Sequence, residues 1–121
     1  MNTNLLADKV LAFLNAKHSR IYRNKPPQSP VFPYVVFNIR AVTDSYPSND
    51  YMVTVDIFED PNTSVRDIET LADNIDTLND SIIKDTGINA HFARTNREFV
   101  SSTDLIEAQM ISIRYTARTY F

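Results

Sequence analysis

The chain has 121 residues and a formal net charge of −3 at pH 7, with 43% hydrophobic and 22% charged residues. These values are typical of globular proteins, and the length predicts one domain over residues 1–121. The absence of cysteine excludes disulfides, thiolate metal sites and cysteine nucleophiles, and a single glycine cannot supply the loops that hold nucleotide phosphates. No apolar run approaches the roughly 20 residues of a membrane span and the N-terminus has no signal-peptide pattern, so we expect a protein of a cytoplasm, or one assembled from it.

The first predicted element is a helix that runs from a cap at Asn4 to about Lys17, because Leu6, Val10 and Leu14 recur at helical spacing. The segment that follows, KHSRIYRNKPPQSPVFP, contains four prolines within eight residues. Proline lacks a backbone donor and cannot continue a helix, so an extended surface segment is expected here.

Two strands are predicted next, because YVVFNIRAV and YMVTVDIF alternate apolar and polar residues. Their inward faces consist of Val35, Phe37, Ile39, Ala41, Tyr51, Val53, Val55 and Ile57. Between them, TDSYPSND (residues 43–50) has turn-forming residues throughout. We therefore predict an antiparallel hairpin with a long, polar, projecting loop.

Acidic residues lie where the second of these strands ends, in the stretch VTVDIFEDPNTS. Asp56 and Glu59 could form a metal site or the carboxylate pair of a hydrolase, but no histidine or second ligand cluster is near them in sequence. Alternatively, a turn at Pro61 and a helix cap at Ser64 account for the acidic residues, since carboxylates are favourable near a helix N-terminus. We favour the structural interpretation and expect no catalytic residue, no metal site and no cofactor.

A second helix is predicted from residue 65 to residue 82, because apolar residues recur along it at helical spacing. Gly87 is expected to end this helix as its C′ residue. A separate stripe on the helix is acidic and consists of Glu69, Asp73, Asp76 and Asp80. This stripe is either a solvated helix face or a docking surface for a basic patch on another subunit.

The stretch INAHFAR alternates from Ile88 to Phe92 and predicts a third strand, with His91 on the outward face beside Arg94. A lone histidine in such a place is more often a surface residue than a catalyst. Residues 95–108 are polar and interrupted, so we expect a second hairpin connection that contains an irregular strand.

The last stretch, AQMISIRYTARTYF, has the clearest alternation in the chain and predicts the fourth strand. Its inward face consists of Ile111, Ile113, Tyr115 and Ala117. Arg114 and Arg118 then face away from the helices together with Arg40, and a ring of such arginines could line a channel. We also expect a neighbouring subunit to be able to cover the edge of this strand.

The predicted elements follow the order α-β-β-α-β-β, which indicates an α+β domain. We expect a four-stranded, mainly antiparallel sheet with both helices packed on one face. A ferredoxin-like ligand-binding or regulatory module shares this layout and is the alternative to an assembly subunit. The hydrolase built on Asp56 and Glu59 is a third possibility, which metal dependence would reveal.

Three stretches carry a resemblance to a known family: IYRNKPPQSPVFPYVVF, YMVTVDIFEDPNTSVRDIETLADNI and the terminal ARTYF. In their order and spacing, and in total length, the chain resembles the tail terminator (tail completion) proteins of long-tailed bacteriophages and prophages. The resemblance implies a structural protein without catalysis, which forms a ring, typically hexameric, at the head-proximal end of the tail tube. Such a ring stops polymerisation of the tube and provides the surface that joins the head.

The partners implied are further copies of the chain, the tail tube protein and a head-connector or head-completion protein. The resemblance implies no membrane and no specific nucleic-acid binding, and it implies a location in the virion tail after assembly in the host bacterial cytoplasm. The candidate assembly interface combines residues of the predicted loop, the acidic stripe and the last strand: Asp44, Tyr46, Asn49, Tyr51, Glu69, Asp73, Asp76, Asp80, Arg114 and Arg118. The two tyrosines are expected at the rim of the loop as aromatic anchors.

Overall fold

A computed structural model of the chain describes residues 3–28, 31–45, 48–85, 87–100 and 109–120. Its elements are helix α1 (Thr3–Asn15), strands β1 (Ile21–Arg23), β2 (Tyr34–Ser45) and β3 (Ser48–Glu59), helix α2 (Val65–Ile75), a short 3-10 helix (Asp76–Leu78), and strands β4 (Ile82–Asp85), β5 (Ile88–Val100) and β6 (Gln109–Tyr120). The strands form one sheet in the order β1-β2-β3-β6-β5-β4. The described pairs are antiparallel except β1 with β2.

The α+β class and the packing of both helices on one face of the sheet are confirmed. Leu6, Val10 and Leu14 of α1 belong to the same buried cluster as Ile68 and Ile75 of α2. The predicted inward residues of β3 and β6 are fully or almost fully buried in this cluster as well. Alternation along a strand therefore identified the core side of the two central strands.

The helices cover only part of the sheet. Helices of 13 and 11 residues are about 16 to 20 Å long, whereas strands of 12 residues extend for about 40 Å. Neither α1 nor α2 therefore covers the far part of β2. Ile39 there is half-buried, and Ala41, which the sequence predicted to face the core, is exposed.

The helix termini differ from the prediction. Helix α1 begins at Thr3, so Asn4 lies in its first turn and does not cap it. The Oδ1 atom of Asn4 accepts a hydrogen bond from Nη1 of Arg23 at 3.0 Å, which connects the helix to β1. The helix ends at Asn15, two residues before the predicted end at Lys17.

Within the described residues the sheet has six strands, where the sequence predicted four. Strand β1 forms within the segment predicted to be merely extended, and it pairs Ile21 with Val35. Strand β4 takes residues that were predicted to continue the second helix. Ile82 is 64% exposed on β4 because α2 already ends at Ile75 and Asp80 adopts the left-handed backbone conformation, with φ of 62°.

Gly87 lies between β4 and β5 and is not a helix C′ residue. Its φ is +85°, and Asp85 pairs with Ile88, so the glycine belongs to a tight connection between two antiparallel strands. A residue with a Cβ atom disfavours this backbone conformation, which accounts for the glycine.

The predicted long loop at residues 43–50 is wrong in most of its length. Strands β2 and β3 pair Thr43 with Asp50, Asp44 with Asn49 and Ser45 with Ser48. A register shift between Ala41 and Thr43 adjusts the ladder just before this end of the hairpin. Strand pairing has overridden the local turn preference, because a neighbouring strand satisfies the backbone groups that a loop would expose to water.

Strand β6 lies in the centre of the sheet, between β3 and β5. It pairs with β3 from Gln109 to Thr119 and with β5 from Met110 to Tyr120. The expectation that a neighbouring subunit could cover its edge is therefore wrong, since both of its edges are already paired within the chain.

Candidate assembly interface

The carboxylates at the C-terminal end of β3 form hydrogen bonds within the fold. The backbone N–H of Asp60 donates to Oε1 of Glu59 at 2.9 Å, and the N–H of Asn62 donates to Oδ1 of Asp60 at 2.9 Å. Nε2 of Gln109 donates to the carbonyl oxygens of Asp60 and Thr63, at 3.0 and 2.5 Å. The turn is thus held by its own carboxylates and by an amide of β6, a residue to which the sequence analysis gave no role.

Asp56 and Glu59 lie on opposite faces of β3. Glu59 is buried and pairs with Gln109, whereas Asp56 faces away from the helices beside Ser112. Residues three apart on a strand point to opposite sides, so the two carboxylates cannot act on one substrate. This geometry removes the basis of the hydrolase interpretation.

The predicted cap of the second helix is confirmed. Oγ of Ser64 accepts a hydrogen bond from the backbone N–H of Arg66 at 3.2 Å, and α2 begins at the next residue, Val65. An N-cap oxygen satisfies one of the donors that the first helical turn leaves unpaired.

Among the described residues, no three or more histidine, aspartate or glutamate side chains are arranged to hold a metal ion. Within the same ranges, neither α-helix combines the length and the hydropathy of a membrane-spanning helix.

Asp56 is a partly buried carboxylate on the outward sheet face. Burial raises the pKa of Asp56, while a hydrogen bond with Ser112 and the charge of Arg114 act in the opposite direction. Its Oδ1 atom is buried and has no hydrogen-bond partner among the described residues. The outward face therefore holds a buried carboxylate oxygen without a hydrogen-bond partner among the described residues, within reach of the charge of Arg114.

Most of the acidic stripe of α2 meets arginines of the same chain. We call this group the Arg97 cluster; its members are Glu69, Asp73, Asp76, Arg94, Arg97 and Tyr115. Nη2 of Arg97 lies 2.8 Å from Oε2 of Glu69 and 2.9 Å from Oδ1 of Asp73, and Nη1 lies 3.3 Å from Oδ2 of Asp76. Arg94 also forms an ion pair with Asp76, and the Tyr115 hydroxyl donates to Oδ1 of Asp76 at 2.7 Å.

These contacts shift the pKa of two members of the cluster. Burial alone would lower the pKa of Arg97, but its hydrogen bonds with Asp73 and Glu69 outweigh burial and raise it. Burial and the hydrogen bond with Asp76 raise the pKa of Tyr115 well above its ordinary value. Both groups therefore keep their protons, and the carboxylates around them are partly neutralised within the chain.

Neither Arg94 nor Arg97 was predicted as a partner of the acidic stripe. Arg94 was predicted to lie on the outward face beside His91, but it pairs with Tyr115 and faces the helices. A register shift between Arg94 and Asn96 then brings Arg97 to the same face, opposite Ile113. The signal available in the sequence for Arg94 was the alternation itself, since Ile88, Ala90 and Phe92 place residue 94 on the inward face; the face of Arg97 depends on the register shift and has no such signal.

The fourth acidic residue of the stripe, Asp80, lies outside the cluster. Its side chain is 86% exposed, and its Oδ1 atom is 3.7 Å from Nε2 of His91. Asp80 and His91 remain open to solvent and are available to a partner.

The arginines predicted to face away from the helices do so. Arg40 and Arg114 line a shallow pocket of about 300 Å³ together with Asn38, Met52 and Thr54. Among the described residues neither arginine has a carboxylate within ion-pair distance. Arg118, in contrast, has its Nε atom 3.3 Å from Oδ1 of Asp50.

The hairpin residues of the candidate interface differ in their burial and in their contacts. Tyr51 is fully buried in the core, so its predicted role as an aromatic anchor at the rim is wrong. The carbonyl oxygen of Asn49 accepts a hydrogen bond from Oγ1 of Thr119 at 2.9 Å. Asp44 lies on β2 opposite Asn49, and Tyr46 lies outside the described residues.

No protein-family model matches the sequence, and no curated protein matches it. The fold is similar to that of a chain in the virion of a native gene transfer agent (GTA) particle, with 13% identity, a TM-score of 0.70 and coverage of 93% of this chain and 92% of that chain. A second solved structure, with 12% identity, has a TM-score of 0.66 and covers 95% of this chain and 96% of its own. At these identities the similarity shows a shared fold, over nearly the whole length of each chain.

Proposed function

We propose that this chain is a structural subunit of a phage-type particle, and more narrowly a tail terminator. In this role, copies of the chain form a ring, hexameric as in the family it resembles, at the head-proximal end of the tail tube. The ring stops growth of the tube and presents a surface to the head-connector protein. The observation that carries the proposal is the fold shared with a chain of a gene transfer agent virion over 93% of this chain.

The surfaces of the chain support a role in assembly. Among the described residues, no helix lies on the outward face of the sheet, and neither Arg40 nor Arg114 on that face has a carboxylate within ion-pair distance. On the helix side, the carboxylates of Glu59 and Asp60 accept hydrogen bonds within a turn. Most of the acidic stripe forms ion pairs within the Arg97 cluster. The polar groups of the described residues thus hold the fold or face outward, as a non-catalytic subunit requires.

The test is a measurement of tube length. Purified protein is mixed with the cognate tail tube protein and its tape-measure complex, and tube lengths are measured by electron microscopy. A narrow length distribution that appears only with the protein supports the proposal. Length distributions that are equally broad with and without it would contradict the assignment as a terminator.

Two variants sharpen this test. The double variant Arg114→Gln/Arg118→Gln removes charge from the outward sheet face and should broaden the tube lengths again. The variant Arg66→Gln removes one positive charge from the exposed start of α2, on the helix side, and should leave them narrow. A loss of length control in both variants would point to net charge and not to the outward face.

A further inference from the structure

The two outer sides of the sheet are only partly covered by strands. Strand β1 pairs with β2 from Val35 to Phe37, and from residue 38 to residue 45 the only strand that pairs with β2 among the described residues is β3. We call residues 38–45 the open β2 edge. Backbone groups on such an edge have no strand partner on one side, which makes it a template for another strand.

The opposite side of the sheet has a corresponding open stretch. Strand β4 pairs with β5 from Ile88 to His91, and Asp80 and Ser81 then bond with the backbone of Phe92. Oδ1 of Asn79 accepts from the N–H of Arg94. Residues 95–100, the open β5 edge, pair with β6 and with no other strand in the part of the chain that the structure describes.

The open edges are only partly protected against strand addition: Arg40 and Asp44 are charged on one, Arg97 and Glu98 on the other, and each edge has a register shift. Lysine and proline are absent from residues 38–45 and 95–100. Each edge also exposes a large apolar side chain, Val42 at 56% and Phe99 at 43%. Exposed apolar side chains on an edge strand, which has one unpaired side, favour coverage of that edge by another chain.

The directions of the strands make the two edges complementary. Because β2, β3, β6 and β5 are successively antiparallel, β5 runs opposite to β2. A neighbouring β5 placed beside β2 would therefore continue the antiparallel alternation. The edges are also similar in length, at about eight and six residues.

The covered parts lie at opposite ends of the sheet. Strand β1 covers the start of β2 and β4 covers the start of β5, and these starts are at opposite ends because the two strands are antiparallel. Two copies can pair their open edges only with a stagger along the strands. A stagger is the condition for closing a sheet upon itself, and the register shift near each open edge adds local twist.

We propose that the partner of the open β2 edge is the open β5 edge of a second copy of this chain, so that one sheet continues from subunit to subunit around the ring. This proposal rests on the proposed function, since it names the contact by which the ring closes. A two-fold contact between two β2 edges would leave both β5 edges open. The head-to-tail contact covers both edges of every subunit and closes without a free end.

Cross-linking tests the contact directly, because the chain contains no cysteine. Asn38→Cys or Arg40→Cys on β2 is mixed with Asn96→Cys or Glu98→Cys on β5, in four pairwise combinations. All four positions are exposed and face away from the helices. A disulfide forms only when the two Cα atoms come within about 7 Å, so the register selects which combination links.

The expected result is a covalent dimer from at least one mixture of a β2 variant with a β5 variant, and none from a single variant alone. Thr116→Cys is the matched control, since it is exposed on the same face but lies on the central strand β6. Dimers from a β2 variant alone would indicate the two-fold contact and overturn the proposal. Equal cross-linking of the Thr116 variant would indicate random collision and would also overturn it.

A second variant tests the backbone itself. The N–H of Val35 donates to the carbonyl oxygen of Arg20, away from β3, so by the two-residue period the N–H of Ala41 points to the open side. Ala41→Pro removes this donor without removing a bond to β3 and should weaken association by about tenfold. Ala41→Val keeps the donor and should associate as the original chain does; equal association of both variants would contradict edge pairing.

Different results would contradict the edge contact and the assignment as a tail terminator. A ring in native mass spectrometry without a cross-link from any of the four combinations overturns the edge contact and leaves the ring intact as a proposal. Covalent β2-to-β5 oligomers that leave tube lengths unchanged support the edge contact and contradict the terminator assignment.

Discussion

Tyr115 shows how one buried side chain joins the sheet to the helix layer. Its ring is fully buried and its hydroxyl donates to Asp76 at 2.7 Å. A buried phenol needs a hydrogen-bond partner, and this partner is a carboxylate that two arginines also hold. The side chain thus contributes both apolar burial and a charge-assisted hydrogen bond.

Replacing Tyr115 with Phe should lower the free energy of unfolding by about 1.5 kcal/mol, the lower end for a hydrogen bond to a charged group, because Asp76 keeps its two arginines. Urea denaturation followed by circular dichroism measures the change. Tyr22→Phe is the control, since phenylalanine retains the ring contact of Tyr22 with Tyr34 and should change stability little. A loss for Tyr115→Phe no larger than for Tyr22→Phe would contradict the role of the hydroxyl.

Asp56 should make stability depend on pH in the direction opposite to an ion-paired carboxylate. Burial raises the pKa of Asp56 in the folded chain above its ordinary value of about 4 in the unfolded chain. Between the two values the folded state binds more protons, so the free energy of unfolding decreases as pH rises through that window. Ionisation of Asp56 therefore lowers the free energy of unfolding of the chain.

We expect Asp56→Asn to gain stability relative to the original chain as pH rises from about 4 to 7. Urea denaturation at both pH values gives the difference, in which the titration of the other groups cancels. Asp8→Asn, on the exposed side of α1, controls for the loss of one negative charge. A relative loss of stability for Asp56→Asn over this range would show that Ser112 and Arg114 outweigh burial.

At the scale of elements, the Arg97 cluster fastens α2 to β5. Arg97 is only 20% exposed and lies within 3.3 Å of carboxylate oxygens of Glu69, Asp73 and Asp76. Removal of the guanidinium would leave three carboxylates close together with Arg94 as their remaining cation. Such an uncompensated arrangement is costly, although the exposure of Asp73 reduces the effect.

Arg97→Gln should destabilise the chain by about 2 kcal/mol, between the values for exposed and buried pairs. Adding Asp73→Asn to this variant should recover part of the loss, because one repelling charge is removed. Arg118→Gln is the control, since the Arg118 side chain of that ion pair is exposed and its loss should change stability little. Thermal unfolding of the four proteins measures these differences, and equal effects of Arg97→Gln and Arg118→Gln would argue against the cluster.

The start of α2 depends on its cap. Ser64→Ala removes the oxygen that accepts from Arg66 and should cost about 1 kcal/mol in urea denaturation. Ser64→Asp keeps an acceptor at the cap and should retain stability. If both variants lose the same amount, the hydroxyl has a role other than capping.

At the scale of the molecule, two kinds of surface could hold copies together. The sequence suggested charge patches, with the acidic stripe of one subunit against the arginines of another. The structure pairs Glu69, Asp73 and Asp76 of that stripe with arginines of the same chain, which leaves the open β2 and β5 edges as the stronger candidates.

Association through strand edges should respond weakly to salt, because hydrogen bonds and apolar contacts are not screened. Native mass spectrometry or analytical ultracentrifugation at about 0.05 and 0.5 M salt should give similar mass distributions over a range of protein concentrations. Dissociation of a ring at the higher salt concentration would show that opposed charge patches hold it together.

The sequence by itself determined the α+β class and the core side of the central strands. The alternation of Val53, Val55, Ile111 and Ile113 is a local property that holds wherever the strand is placed. The cap at Ser64 is local in the same sense, since its partner is two residues away. Such features follow from the period of the backbone and from neighbours along the chain.

The tertiary structure decided the order of the strands, the ends of the elements and the partners of the charged residues. The last strand became central, and the predicted loop became paired strand, because cross-strand hydrogen bonds join residues up to about 70 positions apart. A one-residue register shift between Arg94 and Asn96 brought Arg97 to the helix side, where it meets the acidic stripe together with Arg94. Alternation in the sequence does not reveal such a shift. The face on which a charged residue lies beyond a bulge therefore depends on contacts with residues that are distant in sequence.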